Sequence, residues 1–258
     1  MICLSLGKFS PYPMPISAVL ITLNEEHVLE KTLRALAWTD EIIVVDSGST
    51  DATVAIAEQF GAKVFYRKFD GYGPQKHFAV TRASHDWILA LDADEIVTES
   101  LQAEITSTLQ NPDHQGYYVP ISLVFLNRLL RFGGEYKMLH LRLFNKKFGN
   151  FNQKPVHEGV ELNTKIGRLQ HQLLHYSYAD LHDYFQKFNH YTSRAATQLH
   201  EQGKKASLWQ VVGRFPLTFL KIYVLKLGFL DGYAGFVWAL FSAMYPVVKY
   251  AKLREKNI

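Results

Sequence analysis

Five carboxylates in this chain of 258 residues stand just behind short apolar runs. Asp46 and Asp51 follow Ile42–Val45, and Asp92, Asp94 and Glu95 follow Trp87–Leu91. An isolated acid at such a place is ordinary, because strand ends meet solvent and Asp is a common turn residue. Three acids in four positions ask for more: neighbouring carboxylates repel unless a cation or a sugar hydroxyl occupies the space between them. An Asp-x-Asp at a strand end suits a hard divalent ion, Mg²⁺ or Mn²⁺, which keeps positions open for two phosphate oxygens of a substrate. Two other phosphate-binding designs do not fit the sequence. No Gly-x-x-x-x-Gly-Lys-Ser/Thr follows a strand, and the first apolar run leads into Leu23-Asn24-Glu25-Glu26 without Gly-x-Gly-x-x-Gly. A nucleotide diphosphate held through metal and base contacts remains.

These acids need a scaffold that gathers strand ends. Ile16–Thr22 and Ile42–Val45 read as buried parallel strands, with a helical period over residues 25–37 between them and Asn24 available as its cap. A second helix over Ala52–Phe60, a strand over residues 63–66, a helix over Pro74–Ala83 and a strand over Trp87–Leu91 follow. Such alternation predicts an α/β fold with an open, doubly wound, mostly parallel sheet, in which ligands gather at the carboxyl ends of the strands. Beyond a short helix at Leu101–Leu109, strands are expected at Gly116–Val124 and Met138–Phe144, with strand-like alternation over Leu169–Tyr178 that disfavours His171 and His175 as a helical metal pair. A helix returns over Leu181–Gln202, and Leu208–Lys252 reads as helices broken at Pro216, at Gly228–Gly235 and at Pro246. The expected organisation is an N-terminal tail (1–15), a ligand-binding half (16–115), a second half (116–207) and a basic-aromatic helical extension (208–258).

The 28 Lys and Arg against 24 Asp and Glu give +4 without a long basic run, so nucleic acid is not an expected partner. Cys3 is the sole cysteine, which excludes an intramolecular disulfide and a cysteine zinc site and points to a reducing compartment, the cytosol. The apolar stretch before Gly7 is too short for a secretory signal. In the extension, Leu227–Val248 carries one charge, Asp231, and reaches the length of a spanning helix, although Gly228, Gly232, Gly235 and Pro246 weaken that reading. Arg214, Lys221, Lys226, Lys249, Lys252 and Arg254 flank its aromatic residues, a composition suited to lying on an anionic membrane surface.

The series Ile-Thr-Leu-Asn-Glu-Glu (21–26), Val-Val-Asp-Ser-Gly-Ser-Thr-Asp (44–51), Gln-Lys (75–76) and Trp-Ile-Leu-Ala-Leu-Asp-Ala-Asp-Glu (87–95) resembles the nucleotide-sugar half of glycosyltransferase family 2, which has the GT-A fold. Leu141-Arg142-Leu143-Phe144, Val156-His157-Glu158, Leu174–Tyr178 and Phe229-Leu230-Asp231-Gly232 resemble its branch of lipopolysaccharide inner-core hexosyltransferases. The resemblance implies that Asp46 receives the nucleobase, Asp92 the ribose and Asp94 the metal, Mg²⁺ or Mn²⁺. Lys76 meets the nucleotide, and Asn24, Glu25 and Ala93 complete the donor-binding motifs. It further implies an inverting transfer of a hexose, glucose from UDP-glucose, to a lipid-linked glycan, a heptose of the inner core. The enzyme would sit peripherally on the inner face of the cytoplasmic membrane. Transfer to polyisoprenyl phosphate or a peptide, and a non-catalytic nucleotide-sugar-binding scaffold, are the alternatives.

Inverting displacement needs a proton acceptor near the attacking hydroxyl. Glu158 is the first candidate, in a short loop beside His157, which could bind metal or orient it; Glu135, after Gly133-Gly134, is the second. Arg142, a charge between apolar neighbours, needs an acidic group or a phosphate as partner if buried.

Overall fold

The structure is a computed structural model that describes residues 14–154 and 158–257. The chain divides into two compact units, the first from residues up to 121 together with 137–175, the second from 122–136 together with 176 onward.

In the first unit, β1 (Ile16–Thr22), α1 (Glu26–Arg34), β2 (Glu41–Asp46), α2 (Thr53–Gln59), β3 (Lys63–Tyr66), α3 (Tyr72–Arg82) and β4 (Trp87–Asp92) follow the expected alternation. The strands pair in parallel in the order β3-β2-β1-β4, so the order reverses beside β1. Their period of two sends side chains to both faces. Ala18, Leu20, Val44, Leu89 and Leu91 pack with Leu29 and Leu33 of α1, while Val19, Ile43, Val45, Ile88 and Ala90 pack with Ala79 and Val80 of α3. Burying a side chain of the Leu or Ile kind contributes roughly 1.5–3 kcal/mol, which makes these two layers the main anchor of the strand ends. Beyond β4 the sheet turns mainly antiparallel. β5 (Glu95–Val97), α4 (Glu99–Thr108), β6 (Gly116–Phe125), β7 (Arg128–Leu129), β8 (Met138–Asn145), β9 (Gly149–Phe151), β10 (Val160–Leu162), β11 (Gly167–Arg168) and β12 (Leu173–His175) complete the strand list. β8 lies antiparallel between β4 and β6, and β12 lies antiparallel to β5 with His175 opposite Glu95.

The second unit takes the hairpin of residues 122–136 and the helices α5 (Leu181–Glu201), α6 (Leu208–Val212), α7 (Arg214–Leu220) and α8 (Gly232–Glu255), with a π-helical turn at Lys221–Leu225 and a 3-10 turn at Gly228–Asp231. Leu123, Phe125 and Leu130 of the hairpin pack with Tyr184, Ala234 and Val237. Asp231, buried, accepts from the backbone N–H groups of Arg131 (3.1 Å) and Phe132 (2.8 Å), which pins the hairpin to the turn before α8.

Two expected breaks are absent. Pro216 lies in the first turn of α7, where a backbone N–H has no intrahelical acceptor to lose. Pro246 lies inside α8, and the helix continues through it because its flanks are fixed: Ala239 and Ala243 are buried before it, and beyond it Lys252 Nζ donates to Asn189 Oδ1 (2.6 Å) and Ser193 Oγ (2.8 Å) of α5. The chain breaks at Gly213, between α6 and α7, and, as expected, in the Gly228–Gly235 stretch, which opens on Leu227 at φ +57.

Candidate functional site

Register on the central strand sets the site. Thr22 and Ile21 of β1 lie opposite Asp46 of β2 and Asp92 of β4, so the two acids end the strands on either side of β1, one residue apart in level, where the strand order reverses.

Around Asp46 the loops are stitched to one another. Its carboxylate is buried and accepts from the N–H groups of Gly48 (2.7 Å) and Ser49 (2.8 Å) and from the hydroxyls of Thr22 (3.1 Å) and Ser49 (2.5 Å). These four donors fill the acceptor capacity of one carboxylate. Asp46 thus shapes the Ser47–Thr50 loop, and the loop's other face is what a base could meet. Asn24, at φ +56, accepts from Thr50 N–H (2.8 Å), and Glu25 N–H donates to Thr53 Oγ1 (2.8 Å). Asp51 accepts from Thr53 N–H (3.0 Å) and Glu26 N–H (3.2 Å), and these hydrogen bonds outweigh burial and lower its pKa. Gln75, fully buried, donates to Ser47 Oγ and Arg67 O (2.9 Å each) and so ties α3 to the same loop. Its motif was visible in the sequence, but only Lys76 stood out there as a charge.

The second cluster is ionic. Asp92 Oδ1 meets Lys76 Nζ at 2.7 Å, and Asp92 Oδ2 meets Arg142 Nη2 at 2.7 Å. Arg142, on β8, also reaches Glu95 Oε1 at 2.6 Å, while Glu95 Oε2 accepts from Asp92 N–H at 3.0 Å. The partner that Arg142 needs is therefore this pair of acids. Its Nε–H is buried and finds no acceptor among the described residues. Burial pushes Asp92 up, but the Arg142 and Lys76 charges outweigh it and hold its carboxyl far below the usual range. In Glu95 burial dominates, with Asp92 adding repulsion, and the pKa is raised despite Arg142. Ala93 contributes its carbonyl, which accepts from Thr32 Oγ1 of α1 (2.6 Å) and fixes the turn between the acids.

Lys76 continues the chain of charges to Glu158, whose Oε1 lies 3.1 Å from Nζ. Close packing of α3 brings this about: a Cβ on Gly73 would run into the carbonyl oxygens of Asn152 and Lys154, so only glycine lets the first turn of α3 lie against the segment that leads to Glu158. Glu135 belongs to the second unit, where its carbonyl accepts from Leu123 N–H (3.2 Å). His157 lies outside the described residues.

Asp94 meets a residue that the spacing of His171 and His175 did not single out. His175 Nε2 lies 3.2 Å from Asp94 Oδ2, whereas His171 pairs with Glu104 at 2.9 Å. Burial lowers the His175 pKa, and the hydrogen bond to Asp94 with the charges of Asp94, Glu95 and Asp92 more than reverse this, leaving it raised. The signal in the sequence was the strand pattern at 169–178; what it lacked was the pairing of β12 with β5. Two ligand atoms at about 2.1 Å on adjacent corners of an octahedral ion lie about 3 Å apart, so Asp94 and His175 fit one divalent ion. Among the described residues no three His, Cys, Asp or Glu side chains form such a group. One carboxylate suffices for an ion such as Mg²⁺ or Mn²⁺ that keeps several waters and takes substrate phosphates, with His175 as a further, weaker ligand. The carboxylates of Asp92, Glu95 and Glu158 share two permanent cations, Lys76 and Arg142.

Comparison with known proteins follows the same motifs. Residues 17–161 match the family described as Glycosyl transferase family 2. An uncharacterized glycosyltransferase of Rickettsia bellii is 35% identical over 94% of this chain and 87% of its own length, and one of Rickettsia felis is 36% identical over 93% and 89%. The lipopolysaccharide core biosynthesis glycosyltransferase LpsC of Rhizobium meliloti is 29% identical over 95% of this chain and 93% of its own. Among solved structures, S. aureus TarS 1-349 is 15% identical with a TM-score of 0.48, covering 95% of this chain and 91% of that one. Glucosyl-3-phosphoglycerate synthase from Mycobacterium tuberculosis, in complex with Mn²⁺, UDP and glucosyl-3-phosphoglycerate, is 27% identical with a TM-score of 0.37, covering 42% and 44%.

Proposed function

The chain belongs to glycosyl transferase family 2, and from that membership we propose that it is an inverting enzyme that moves a hexose, glucose from UDP-glucose, to a heptose of a lipopolysaccharide inner core. The observation that supports the chemistry is two sets of contacts, Asp94–His175, a pair that would hold a divalent ion, and Asp92–Lys76–Glu158, which ties a carboxylate to the acid end of β4 through one lysine. The acceptor is supported by the 29% identity to LpsC along nearly the whole chain.

In this reading Asp94 and His175 would hold Mg²⁺ or Mn²⁺, which when bound neutralises the diphosphate as it leaves. The loop shaped by Asp46, Asn24 and Gln75 receives the base and ribose. Lys76 is neutralised by Asp92 and Glu158 in the free protein; an arriving diphosphate competes for its Nζ and releases Glu158 from the ion pair. Glu158 then takes the proton from the acceptor hydroxyl while that oxygen bonds to the anomeric carbon. The bond from this carbon to the phosphate oxygen breaks, and its electron pair leaves with the nucleoside diphosphate. Glu158 is favoured over Glu135 because, of the carboxylates after Glu95 in the first unit, it alone among the described residues is ion-paired to a lysine that also holds Asp92.

The test is a radiolabelled transfer assay with purified protein, a panel of nucleotide sugars, and three acceptors: heptose-bearing core lipid, polyisoprenyl phosphate and peptide. Label from UDP-glucose is expected in the core lipid alone. Label in polyisoprenyl phosphate or peptide overturns the acceptor, another preferred donor overturns the sugar, and tight UDP-glucose binding without transfer to any acceptor overturns the enzyme.

A further inference from the structure

The exposed large apolar side chains of the second unit concentrate between Leu208 and Phe236. Leu208 is 65% exposed, Trp209 69%, Leu217 60%, Leu225 77%, Leu230 48% and Tyr233 74%. Hydrophobic residues scattered singly on a surface need no explanation, but a contiguous stretch does. Over residues 204–236 the basic residues are Lys204, Lys205, Arg214, Lys221 and Lys226, and the only acid is Asp231. Asp231 is buried, with its carboxylate spent on the Arg131 and Phe132 N–H groups, so the face shows positive charge alone.

This apolar stretch is rigidly built. Where the chain turns after Leu225, Lys226 N–H donates to Lys221 O (2.9 Å), Leu227 N–H to Val224 O (3.1 Å) and Leu230 N–H to Leu227 O (2.9 Å). A Cβ on Gly235 would strike the Gly228 carbonyl, so the turn and the start of α8 are in backbone contact. Leu225 and Leu230 are therefore held outward by a closed turn with a left-handed Leu227 at its centre, a conformation unfavourable for a non-glycine residue.

We propose that residues 208–236 form a monotopic docking face that inserts its apolar side chains into an anionic membrane while Lys204, Lys205, Arg214, Lys221 and Lys226 lie at the headgroups. The aromatic rings of Trp209 and Tyr233 suit that depth, and each basic residue near an anionic surface adds to the attraction. The charge pattern selects this occupant over a second copy, because a two-fold contact sets the same patch against itself and would oppose five positive charges with five. Lying on the membrane is favoured over crossing it. Among the described residues no single helix is long and apolar enough to span, and the pair Leu208–Leu225 and Gly228–Glu255, which passes only together, is bent by 70°. The apolar side of α8 is also engaged within its own unit, at Ala234, Val237, Ala239 and Ala243.

The test uses the full chain without any sugar donor, so its outcome is independent of the transfer reaction. The protein is sedimented with vesicles of phosphatidylcholine, with and without phosphatidylglycerol, at low and high salt. Binding to the anionic vesicles is expected, partly released by salt. Trp209→Ser combined with Leu225→Ser is expected to weaken it by about tenfold or more, and Lys204→Glu with Lys221→Glu to remove its dependence on phosphatidylglycerol. All four positions are exposed, and unchanged thermal melting confirms that the variants fold. Quenching of Trp209 fluorescence by acyl-brominated lipid, lost in Trp209→Phe, reports insertion. The proposal is overturned if the protein stays in the supernatant with anionic vesicles at low salt or if the Trp209–Leu225 double variant binds as well as the unmodified chain. It is also overturned if the free protein is a dimer that the same substitutions split, in which case a second copy is what covers the face.

Discussion

Asp94 and Glu158 carry opposite halves of the proposed reaction, and conservative amide substitutions separate them. Asp94→Asn removes one of two side chains that fit the cation, so turnover is expected to lose its response to Mn²⁺ or Mg²⁺, and His175→Asn to shift that response to higher metal concentration; a metal titration of initial rates reads both. Full activity of Asp94→Asn in a chelating buffer would contradict the assignment. Glu158→Gln keeps size but cannot accept a proton, so transfer should fall by roughly 10²- to 10⁴-fold. Donor affinity by calorimetry should hold or tighten, because Lys76 loses a competing partner. A normal rate in Glu158→Gln with a collapsed rate in Glu135→Gln would move the role to Glu135. At this scale the sequence singled out most of the residues that the structure brings together in the candidate site. Asp92, Asp94 and Glu95 were legible because three acids in four positions behind an apolar run repel one another unless something lies between them, and Lys76 was legible as the charge of the Gln-Lys pair. The direction in which a carboxylate points was not legible, which is why Asp46 reads from sequence as a ligand group and in the structure closes its own loop. Gln75 was passed over because a buried neutral amide has no charge to flag it.

The elements that hold these residues divide by how local their signals are. β1 to β4 and α1 to α3 were readable from the period of their apolar residues, to within a few residues at each end. β5 and β12, three residues each, were not, since strands so short carry little period and their partnership joins positions 76 to 80 residues apart. That partnership is what brings His175 to Asp94. At the opposite ends of the strands, Glu41 performs a stitching role that no motif announced. Its carboxylate takes hydrogen bonds from Ser17 Oγ (2.6 Å), Ser84 N–H and Oγ (2.7 Å each) and Lys63 Nζ (2.6 Å), joining β1, β2, β3 and the approach to β4. Burial raises its pKa, but Lys63 and the hydroxyl and backbone donors overcome that and lower it to about 2. A carboxyl depressed in the folded state stabilises above its unfolded pKa, and this contribution fades as pH falls from about 4.5 toward about 2. Lys63 is solvent-facing, so the contribution is on the order of 1–2 kcal/mol after screening. Urea unfolding at pH 7 and pH 3 should show Glu41→Gln less stable at pH 7 and less sensitive to acid than the unmodified protein; parallel acid profiles would show that Glu41 is not a source of the pH dependence.

At the scale of the whole molecule the chain is interleaved: residues 122–136 leave the first unit, join the helices, and the chain returns for residues 137–175. Ending the protein after Ser207 therefore cannot yield a trimmed enzyme. It strips Ala234 and Val237 from the cluster that covers Leu123, Phe125 and Leu130. The shortened chain is expected to aggregate or to bind a hydrophobic dye, read by size exclusion and dye fluorescence; a monomer with unchanged melting would show that the hairpin is stable alone. The same interleaving orders events on the ribosome. The hairpin emerges complete with Tyr136, yet its α8 partners Ala234 and Val237 are synthesised roughly 100 residues later, a delay of roughly 5–20 s at the usual pace of translation. For that interval the apolar surface of Leu123, Phe125 and Leu130 lacks the α8 part of its cover, with Tyr184 of α5 arriving in between, and the nascent protein is a client for a ribosome-bound chaperone until α8 arrives.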